Sequence, residues 1–478
     1  MTDTPLAHRL LRRSARSAGH WRPGAAIAVA LAMLAGCVTP AVARQASPPP
    51  NVIFILADDL GYGDLGAFGQ TLIRTPNLDR LAAEGMRFTN AYSGSTICAP
   101  ARSVLMTGRH TGHTTVRGNF GEPGQGGVPD PFAGNALRVP LNADDVTVAS
   151  VLKNAGYVTG LSGKWGLGEV GTTGVPWAHG FDEFFGYINQ RHAHSYYPEF
   201  LWHNEERIDL PNSPGAPRIY SHDLITNYGL HFIREHSDTT FFLFMAFTLP
   251  HSDMDVPELG PYADVDWPDH AKTYAAMVSR LDADIGRITA LLRELGIDDR
   301  TLILFASDNG PHDADGNDPE FFDSNGPFRG IKRDLYEGGI RVPGIAWWPG
   351  RVPAGTVSHT PWYFADVLPT LAELAGVAAP DDVDGVSILP TVLGEEQDLS
   401  ARFLYWEYHE GGFQQAARRG NWKVVRRAPG APLELYDLST DVDETTNVAE
   451  ANPAVIAMFE DYLRTARTTS PNWPVPGE

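Results

Sequence analysis

The sequence predicts an α/β protein with a large, mainly parallel central sheet flanked by helices, followed by a small C-terminal subdomain of antiparallel strands and one helix. Two observations predict this fold class. Through residues 51–394, short apolar runs alternate with amphipathic helical patterns, as they do in parallel sheets. From residue 395 the runs become short and closely spaced, with Gly or Pro between them, which favours antiparallel hairpins.

The predicted strands of the central sheet are apolar runs that suit burial on both faces. They are residues 52–56, 157–161, 241–247 and 301–306. Helical periodicity, with Pro at starts and Gly at ends, predicts helices over 76–84, 144–155, 271–295 and 363–375, the last kinked at Pro369. The C-terminal strands are predicted at 403–406, 415–418, 422–425 and 433–436, before a helix near 453–466.

The first 36 residues predict an export signal. Five arginines precede a charge-free apolar run at 24–36, which is too short to span a bilayer. Residues 34–37, Leu-Ala-Gly-Cys, resemble the lipobox of bacterial lipoproteins, in which Cys37 becomes the lipidated N-terminus; Ala41-Val42-Ala43 also fits an ordinary cleavage site. We expect export to the periplasm, or to the outer membrane or cell surface as a lipoprotein. We expect residues 37–50 to form a tether, 51–394 the main domain and 395–478 the small subdomain.

The charge balance excludes some classes of partner. The 478 residues include 37 Lys and Arg and 58 Asp and Glu, for a net charge of −21. A nucleic-acid or anionic-membrane binder needs a basic face, so we expect no nucleic acid, and a membrane only through the lipid anchor. The two cysteines, Cys37 and Cys98, are too few for a disulfide framework.

Polar and charged residues follow four predicted strands, where open α/β sheets bind ligands. They are Asp58 and Asp59, Lys164, His251, and Asp308 and Asn309. The acidic and amide side chains offer only oxygen ligands, which suit Ca²⁺ or Mg²⁺, whereas zinc prefers His or Cys. One such pair after a strand commonly just caps the next helix. Two pairs after two buried strands indicate a metal site.

The strongest local signal surrounds Cys98. Pro100 suits the first turn of a helix that ends before Gly108, so Cys98 lies at a helix N-terminus, where an anion is favoured. The residue types alone allow a buried structural cysteine or a thiolate nucleophile of lowered pKa.

A third interpretation comes from a family resemblance. Cys98-x-Pro100-x-Arg102, completed by Gly108-Arg109, resembles the signature of type I sulfatases, of the alkaline-phosphatase superfamily. Further segments that resemble the family occur in its order: 58–59, 163–165, 250–251, 307–310, 329–332, 336–343, 422–423 and 435–438. The resemblance covers about residues 51–470 and implies an alkaline-phosphatase-like fold that hydrolyses sulfate esters.

The resemblance also implies cofactors. A maturation enzyme would convert Cys98 to formylglycine (3-oxoalanine), whose hydrate attacks sulfur. A Ca²⁺ ion, or less suitably Mg²⁺, would contact residue 98 and be held by Asp58, Asp59, Asp308 and Asn309.

The remaining implied roles concern charge in the transition state, which fixed cations stabilise. Arg102 would orient the hydrate, Lys164 and Lys332 would bind sulfate oxygens, and His251 would assist the leaving oxygen. One position departs from the family pattern, in which many members have His where this chain has Gly166. In the family's last step, the second hydroxyl of the hydrate loses its proton to a base, expels sulfate and regenerates the aldehyde. The base for this step is therefore open between His110, His113, His312 and a bound water.

Polar and aromatic residues suited to sugars cluster between 177 and 204 and after the Cys98 helix. We expect a sulfated carbohydrate or an aryl sulfate as substrate, with Asn119, His192 and His194 as contacts. Two alternatives stay open. One is a phosphate or phosphonate ester hydrolase of the same superfamily. The other is a catalytically impaired lipoprotein that binds glycans.

Overall fold

The computed structural model describes residues 49–121, 127–213 and 218–477. The predicted signal segment, Cys37 and nearly all of the tether lie outside the described residues. Within them, no helix combines the length and apolar character needed to cross a membrane.

Eighteen strands are found in the described part of the chain. In order they are β1 Asn51–Ala57, β2 Met86–Phe88, β3 Ala91–Tyr92, β4 Val128–Pro129, β5 Leu137–Arg138, β6 Val158–Lys164, β7 Glu183–Tyr187, β8 Phe200–His203, β9 Glu206–Asp209, β10 Phe241–Ala246, β11 Thr301–Ser307, β12 Gly344–Trp347, β13 Thr356–Ser358, β14 Trp362–Tyr363, β15 Phe403–Tyr408, β16 Gln414–Arg419, β17 Trp422–Arg426 and β18 Glu434–Asp437.

The α-helices of the described residues are α1 Pro76–Glu84, α2 Cys98–Thr107, α3 Val148–Asn154, α4 Ser221–Glu235, α5 Asp269–Leu295, α6 Pro319–Phe322, α7 Glu337–Ile340, α8 Val367–Leu374, α9 Leu389–Val392 and α10 Pro453–Leu463.

The ten-stranded central sheet has the order β13-β2-β12-β11-β1-β10-β6-β7-β8-β9. Its middle strands, β11, β1, β10, β6 and β7, run parallel, and antiparallel pairs extend it on both sides. Every residue of β1 and β11 is buried, because helices cover both faces. This confirms the predicted fold class.

The C-terminal strands β15–β18 form the predicted antiparallel sheet, in sequential order. It packs on the main body through buried aromatic side chains whose polar atoms are paired. The indole of Trp406 donates to the carbonyl of Ser93 (2.8 Å), and the hydroxyl of Tyr363 donates to the carbonyl of Tyr405 (2.7 Å).

The long amphipathic helix is confirmed as α5, whose predicted apolar stripe from Met277 to Leu292 is buried. The kink predicted at Pro369 is wrong. Strand β14 and a 3-10 turn occupy residues 362–366, so Pro369 falls in the first turn of α8, where its missing N–H costs no hydrogen bond. The sequence analysis also missed β7–β9, whose residues do not alternate cleanly between apolar and polar, and α4, although its buried apolar residues follow the helical period.

Candidate active site

Four adjacent strands, β11, β1, β10 and β6, bring the predicted site residues to one edge of the sheet. Asp58 and Asp59 follow β1, Asp308 follows β11, Lys164 ends β6, and His251 lies shortly beyond β10. Asp59 has a left-handed backbone (φ 65°), and its N–H donates to Oδ1 of Asp308 at 3.1 Å. The two acid-bearing loops are therefore locked together.

Cys98 is the first residue of α2 and is fully buried. Its Sγ lies 3.3 Å from Oδ1 of Asp58 and 3.8 Å from Oδ1 of Asp59. Burial, followed by Asp308 and Asp58, raises the pKa of the Cys98 thiol well above its ordinary value. The surrounding acids therefore disfavour a thiolate at this position, in contrast to the surroundings of a cysteine activated as a nucleophile.

Arg102 lies one turn further along α2 and is also buried. Its Nε and Nη2 donate to Oδ2 of Asp308 (3.1 and 2.9 Å), and Nη1 donates to the carbonyl of Lys164 (2.7 Å). Nη2 is also 3.3 Å from Oδ2 of Asp58. The guanidinium thereby holds three strand ends in fixed positions.

Two lysines pair with the two acids after β1. Nζ of Lys164 donates to Oδ2 of Asp58 (2.6 Å), and Nζ of Lys332 donates to both carboxylate oxygens of Asp59 (2.7 Å each). Burial alone would raise the pKa of each acid, but Lys164 lowers the pKa of Asp58 and Lys332 lowers that of Asp59. Lys332 is also 3.6 Å from Sγ of Cys98.

His251 lies against this group, with Nε2 at 3.3 Å from Nζ of Lys332 and 3.5 Å from Oδ2 of Asp59. Burial outweighs the nearby acids and lowers the pKa of His251 to about 3, so the ring is neutral. Because an ammonium only donates, Nε2 accepts from Lys332, and the ring proton is assigned to Nδ1, 3.3 Å from the carbonyl of Ser252.

The residues fit a hard cation. Asn309 donates Nδ2 to Oδ1 of Asp59 (2.7 Å), while its own Oδ1 is buried and has no hydrogen-bond partner among the described residues. Ligand atoms of Asp58, Asp59, Cys98 and His251 lie within 4.8 Å of one another. An oxygen-rich, buried donor set with one unpartnered amide oxygen is typical of a Ca²⁺ or Mg²⁺ site.

Ser307 is a positioning residue to which the sequence analysis gave no role. Its Oγ accepts from the N–H of Leu60 (2.9 Å) and donates to the carbonyl of Asn309 (2.9 Å). The only sequence signal was a serine before the Asp308-Asn309 pair.

The predicted substrate contacts lie in different settings. Oδ1 of Asn119 accepts from the N–H of Ala99, next to Cys98, at 2.9 Å. The ring of His194 meets that of His251 edge-on, with centroids 4.2 Å apart. His192 lies instead between Phe132 and Phe200, with centroids at 4.6 and 4.4 Å. Asn119 and His194 therefore border the reaction centre, and His192 belongs to an aromatic cluster beside it.

Gly166 has a left-handed backbone (φ 77°), and a Cβ there would lie 2.5 Å from Oε1 of Gln190. The amide of Gln190 thus fills the space beside this glycine, and its Oε1 is buried without a hydrogen-bond partner in the described part of the chain. The contact joins residues 24 positions apart, so the sequence alone gave no signal for it.

The three histidines considered as bases have other partners. His110 and His113 both lie against Asp384, with nitrogen–oxygen distances of 3.5 and 2.9 Å. His312 places Nε2 3.3 Å from the carbonyl of Pro250, and its ring centroid is 6.2 Å from that of His251. Of the three, His312 is the one placed beside a predicted site residue.

A parallel sheet that gathers carboxylates, lysines and an arginine around one buried helix-terminal cysteine defines a hydrolase of anionic esters. Comparisons with known proteins identify the family. The sulfatase family model matches residues 50–377, and the model for the C-terminal part of N-sulphoglucosamine sulphohydrolase matches residues 328–468.

Named relatives agree with this match. N-acetylgalactosamine-6-sulfatase of Homo sapiens is 35% identical over 410 residues, covering 80% of this chain and 72% of that protein. Arylsulfatase A of Homo sapiens is 32% identical over 527 residues, covering 95% of each chain. The chain therefore belongs to the sulfatase family, in the alkaline-phosphatase superfamily, and is a sulfuric ester hydrolase.

Solved structures share the fold. Ps i-CgsB in complex with k-i-k-neocarrahexaose superposes with a TM-score of 0.77 at 27% identity, covering 90% of this chain and 95% of that chain. A 6S-sulfatase structure from work on glycosaminoglycan metabolism by Bacteroides thetaiotaomicron gives a TM-score of 0.73 at 28% identity, covering 88% of this chain and all of that one. Phosphonate monoester hydrolase of Agrobacterium radiobacter, at 22% identity and a TM-score of 0.62, shares the fold alone, covering 87% of this chain and 95% of that one.

Proposed function

We propose that this chain is an exported sulfatase that hydrolyses sulfate monoesters of carbohydrates, with formylglycine made from Cys98 and a bound Ca²⁺ ion. The observation that carries the proposal is the arrangement around Cys98 Sγ, where Lys332 lies 3.6 Å away and Asp58 3.3 Å away. Fixed cations and carboxylates around one side chain suit an anionic sulfate ester group and a metal ion together.

In this proposal Asp58, Asp59, Asp308 and Asn309 hold the cation. When bound, it supplies positive charge at the nucleophile and the sulfate oxygens. Ca²⁺ suits the set better than Mg²⁺, which demands a stricter octahedral geometry. Oxidation of the Cys98 side chain to an aldehyde, whose hydrate is nucleophilic, supplies what the buried neutral thiol lacks.

The remaining residues bind and orient. Arg102, fixed by Asp308 and by the carbonyl of Lys164, holds its guanidinium beside the side chain at position 98. Lys164 and Lys332 hold their ammonium groups against Asp58 and Asp59, the two acids beside residue 98, where sulfate oxygens would lie. His251, kept neutral by burial, accepts at Nε2 from the ammonium of Lys332, so it would assist the leaving oxygen by holding this lysine in place beside it.

A carbohydrate substrate is supported by the relatives. One is named for N-acetylgalactosamine 6-sulfate, and one structure holds a carrageenan oligosaccharide. The chain's own support is the polar and aromatic lining beside the site, from Asn119, His192 and His194. Aryl sulfates serve as model substrates, and sugar 6-O-sulfates are the first natural candidates to test.

The proposed location rests on the N-terminal pattern. Arginines followed by an apolar run and Leu34–Cys37 support export and lipidation of Cys37, in the periplasm or at the outer membrane or cell surface. A Cys37→Ser variant of the full chain, expressed in a bacterial host, should move from the detergent phase to the aqueous phase on Triton X-114 partition. N-terminal mass after Ala43 in both forms would instead indicate ordinary cleavage.

The central test measures sulfate released from defined sugar sulfates by the chain co-expressed with a formylglycine-generating enzyme, with a Cys98→Ala variant as control. We expect release from 4-nitrophenyl sulfate and from one class of sugar sulfate, absent in the control, with aldehyde at residue 98 shown by peptide mass. Phosphate or phosphonate esters hydrolysed faster than sulfates would favour the superfamily alternative. Confirmed aldehyde without any turnover, but with glycan binding, would favour the binding protein.

A further inference from the structure

A cavity lies at the same edge of the central sheet as the reaction centre. Its volume is about 690 Å³. The lining comes from the loop around Phe132, from residues 169–172, from the segment after β7, and from β8 and β9. The roles assigned to the residues around Cys98 leave this cavity without a function.

Aromatic rings form part of its wall. Phe132 is 41% exposed and stacks in parallel on His192, with centroids 4.6 Å apart. Phe200 carries the guanidinium of Arg207 at 3.9 Å from its ring centre, and Trp202 meets Phe200 edge-on at 6.0 Å. Exposed aromatic surface in a concave site offers a platform for the C–H face of a sugar ring.

Directional polar groups line the same cavity. Asn189 donates Nδ2 to Oε1 of Glu169 (2.6 Å) and to Oδ1 of Asp130 (3.1 Å). Glu169 is 8% exposed, and its burial raises the pKa of the carboxyl to about 7. A few polar groups among aromatic rings match the hydroxyl groups of a sugar better than they match a purely apolar ligand.

The cavity is connected to the reaction centre through the sheet. Tyr187, the last residue of β7, pairs with Lys164, and the N–H of Gly166 donates to the carbonyl of Ile188 at 3.0 Å. Strand β7 lies three places from β1, which at about 4.8 Å per strand is ~14 Å from the loop that carries Asp58. This distance exceeds one sugar ring, so a sugar bound at Cys98 would reach the cavity only through its neighbours in a chain.

We propose that this cavity binds a non-reacting sugar residue of an oligosaccharide substrate, so that the enzyme prefers sulfated oligosaccharides to the sulfated monosaccharide. The inference rests on the proposed function and adds to it the substrate's chain length. The binding of a remote residue lowers the KM for the longer substrate and leaves chemistry at the sulfate unchanged.

The test compares a double variant, Phe132→Ala with Trp202→Ala, with the unaltered enzyme. The substrates are N-acetylgalactosamine 6-sulfate, a hexasaccharide containing that residue, and k-i-k-neocarrahexaose. For whichever hexasaccharide is turned over, we expect the KM to rise at least about tenfold, and kcat/KM for the monosaccharide and for 4-nitrophenyl sulfate to stay within about twofold. Val357→Ala, an equally exposed apolar residue on β13 at the opposite end of the sheet, should change neither.

Equal losses on short and long substrates would overturn the proposal, since they would show a structural defect. Unchanged KM for the hexasaccharide would also overturn it. Calorimetric binding of the same hexasaccharides to the Cys98→Ala chain separates this inference from the proposed function. If the hexasaccharide binds, the double variant abolishes this binding and the mature enzyme does not turn it over, the result supports sugar binding in the cavity and contradicts the proposed sulfatase reaction on that substrate. If a hexasaccharide is turned over but its binding does not depend on Phe132 and Trp202, or if no hexasaccharide binds at all, the proposal that the cavity binds a sugar is contradicted.

Discussion

The molecule buries two clusters of charged side chains that look alike in composition. The reaction cluster contains Asp58, Asp59 and Asp308 with Arg102, Lys164 and Lys332, and the junction cluster contains Glu337 and Glu444 with Arg341, Arg418 and Lys423. In each, burial raises the pKa of one carboxyl to about 7, that of Asp308 in the first and of Glu444 in the second. A shifted pKa therefore does not by itself mark the site of chemistry.

The difference lies in what the charges are paired with. Lys423, on β17, lies 3.0 Å from Glu337 of α7 and 2.8 Å from Glu444, so the junction cluster ties the C-terminal sheet to the main body. The reaction cluster instead surrounds a thiol, and Oδ1 of Asn309 has no hydrogen-bond partner among the described residues. The junction cluster also has buried atoms without a hydrogen bond, Oε1 of Glu337, Oε1 of Glu444 and Nζ of Lys423, but these atoms form ion pairs with one another. An unpartnered oxygen atom beside several carboxylates indicates a site that binds a cation.

Removing one buried ammonium from each cluster tests whether the junction cluster serves stability and the reaction cluster serves activity. Lys423→Met leaves two buried carboxylates without their cation, and we expect the free energy of unfolding to fall by about 3–5 kcal/mol while kcat of the folded fraction is retained. Lys332→Met should lower kcat/KM by about 10²–10³-fold. It should lower the unfolding free energy less than Lys423→Met does, because it leaves one buried carboxylate, Asp59, without its cation rather than two.

Urea unfolding and sulfate release on both variants check this pair, and each variant is the control for the other. A Lys332→Met chain as unstable as Lys423→Met, with activity lost only through unfolding, would show that the reaction cluster is structural too.

Glu407, a buried carboxylate outside both clusters, should make the free energy of unfolding depend on pH. Glu407 of β15 is fully buried; burial opposes its ionisation, but His409, Arg117 and Arg467 lower its pKa to about 2. The unfolded chain takes up the proton near pH 4.5, before the folded chain does. The stabilisation is therefore complete above that pH and lost as the pH falls toward 2. The shift corresponds to about 3 kcal/mol.

Glu407→Gln should lose this amount at pH 7 and almost none at pH 2, as measured by urea unfolding across the range. Glu434→Gln, a half-buried acid in the same sheet, is the control. A pH profile of stability identical to that of the unaltered chain would show that Glu407 does not stabilise the fold through its charge.

The cation proposed for the reaction cluster gives a third difference. Ca²⁺ at about 100 times its Kd should raise the free energy of unfolding by about 2.7 kcal/mol, and a chelator should reverse the effect. Asn309→Leu should abolish this stabilisation, because it removes the unpartnered oxygen, whereas Lys423→Met should keep it. The measurement is thermal unfolding of the chain with and without CaCl₂. Equal stabilisation of the Asn309 variant would place the ion elsewhere.

The parts of the fold that could be predicted are those in which local pattern and burial agree. β1 and β11 are unbroken apolar runs, and because parallel strands end at one edge, the acids that follow them had to meet. The placement of Lys332, in a long loop after β11, came only from the family resemblance. The partners of His192, the cavity beside β7 and the contact of Gln190 with Gly166 depend on strands that the sequence pattern did not reveal.

The smallest expected effect concerns Gly166, which follows Lys164 of the reaction cluster but should behave like a structural residue. Its φ of 77° disfavours any residue with a Cβ, so Gly166→Ala should cost about 1–2 kcal/mol of unfolding free energy. Combining Gln190→Ala with Gly166→Ala should recover only the part of this free-energy cost that comes from the 2.5 Å contact. A double-mutant cycle with the two substitutions measures that part.

Gly166→His tests the alternative that the reaction cluster lacks a catalytic histidine at this position. Because the amide of Gln190 already fills the adjacent space and the backbone is left-handed, we expect the imidazole to be turned away and kcat to fall or stay unchanged. Gly350→His, at an exposed glycine with the same φ of 77° and open space around it, controls for the backbone cost. A rise in kcat in the Gly166→His variant alone would mean that the reaction cluster lacks a base at this position. The reaction cluster would then differ from the junction cluster both in its catalytic role and in having lost a catalytic side chain.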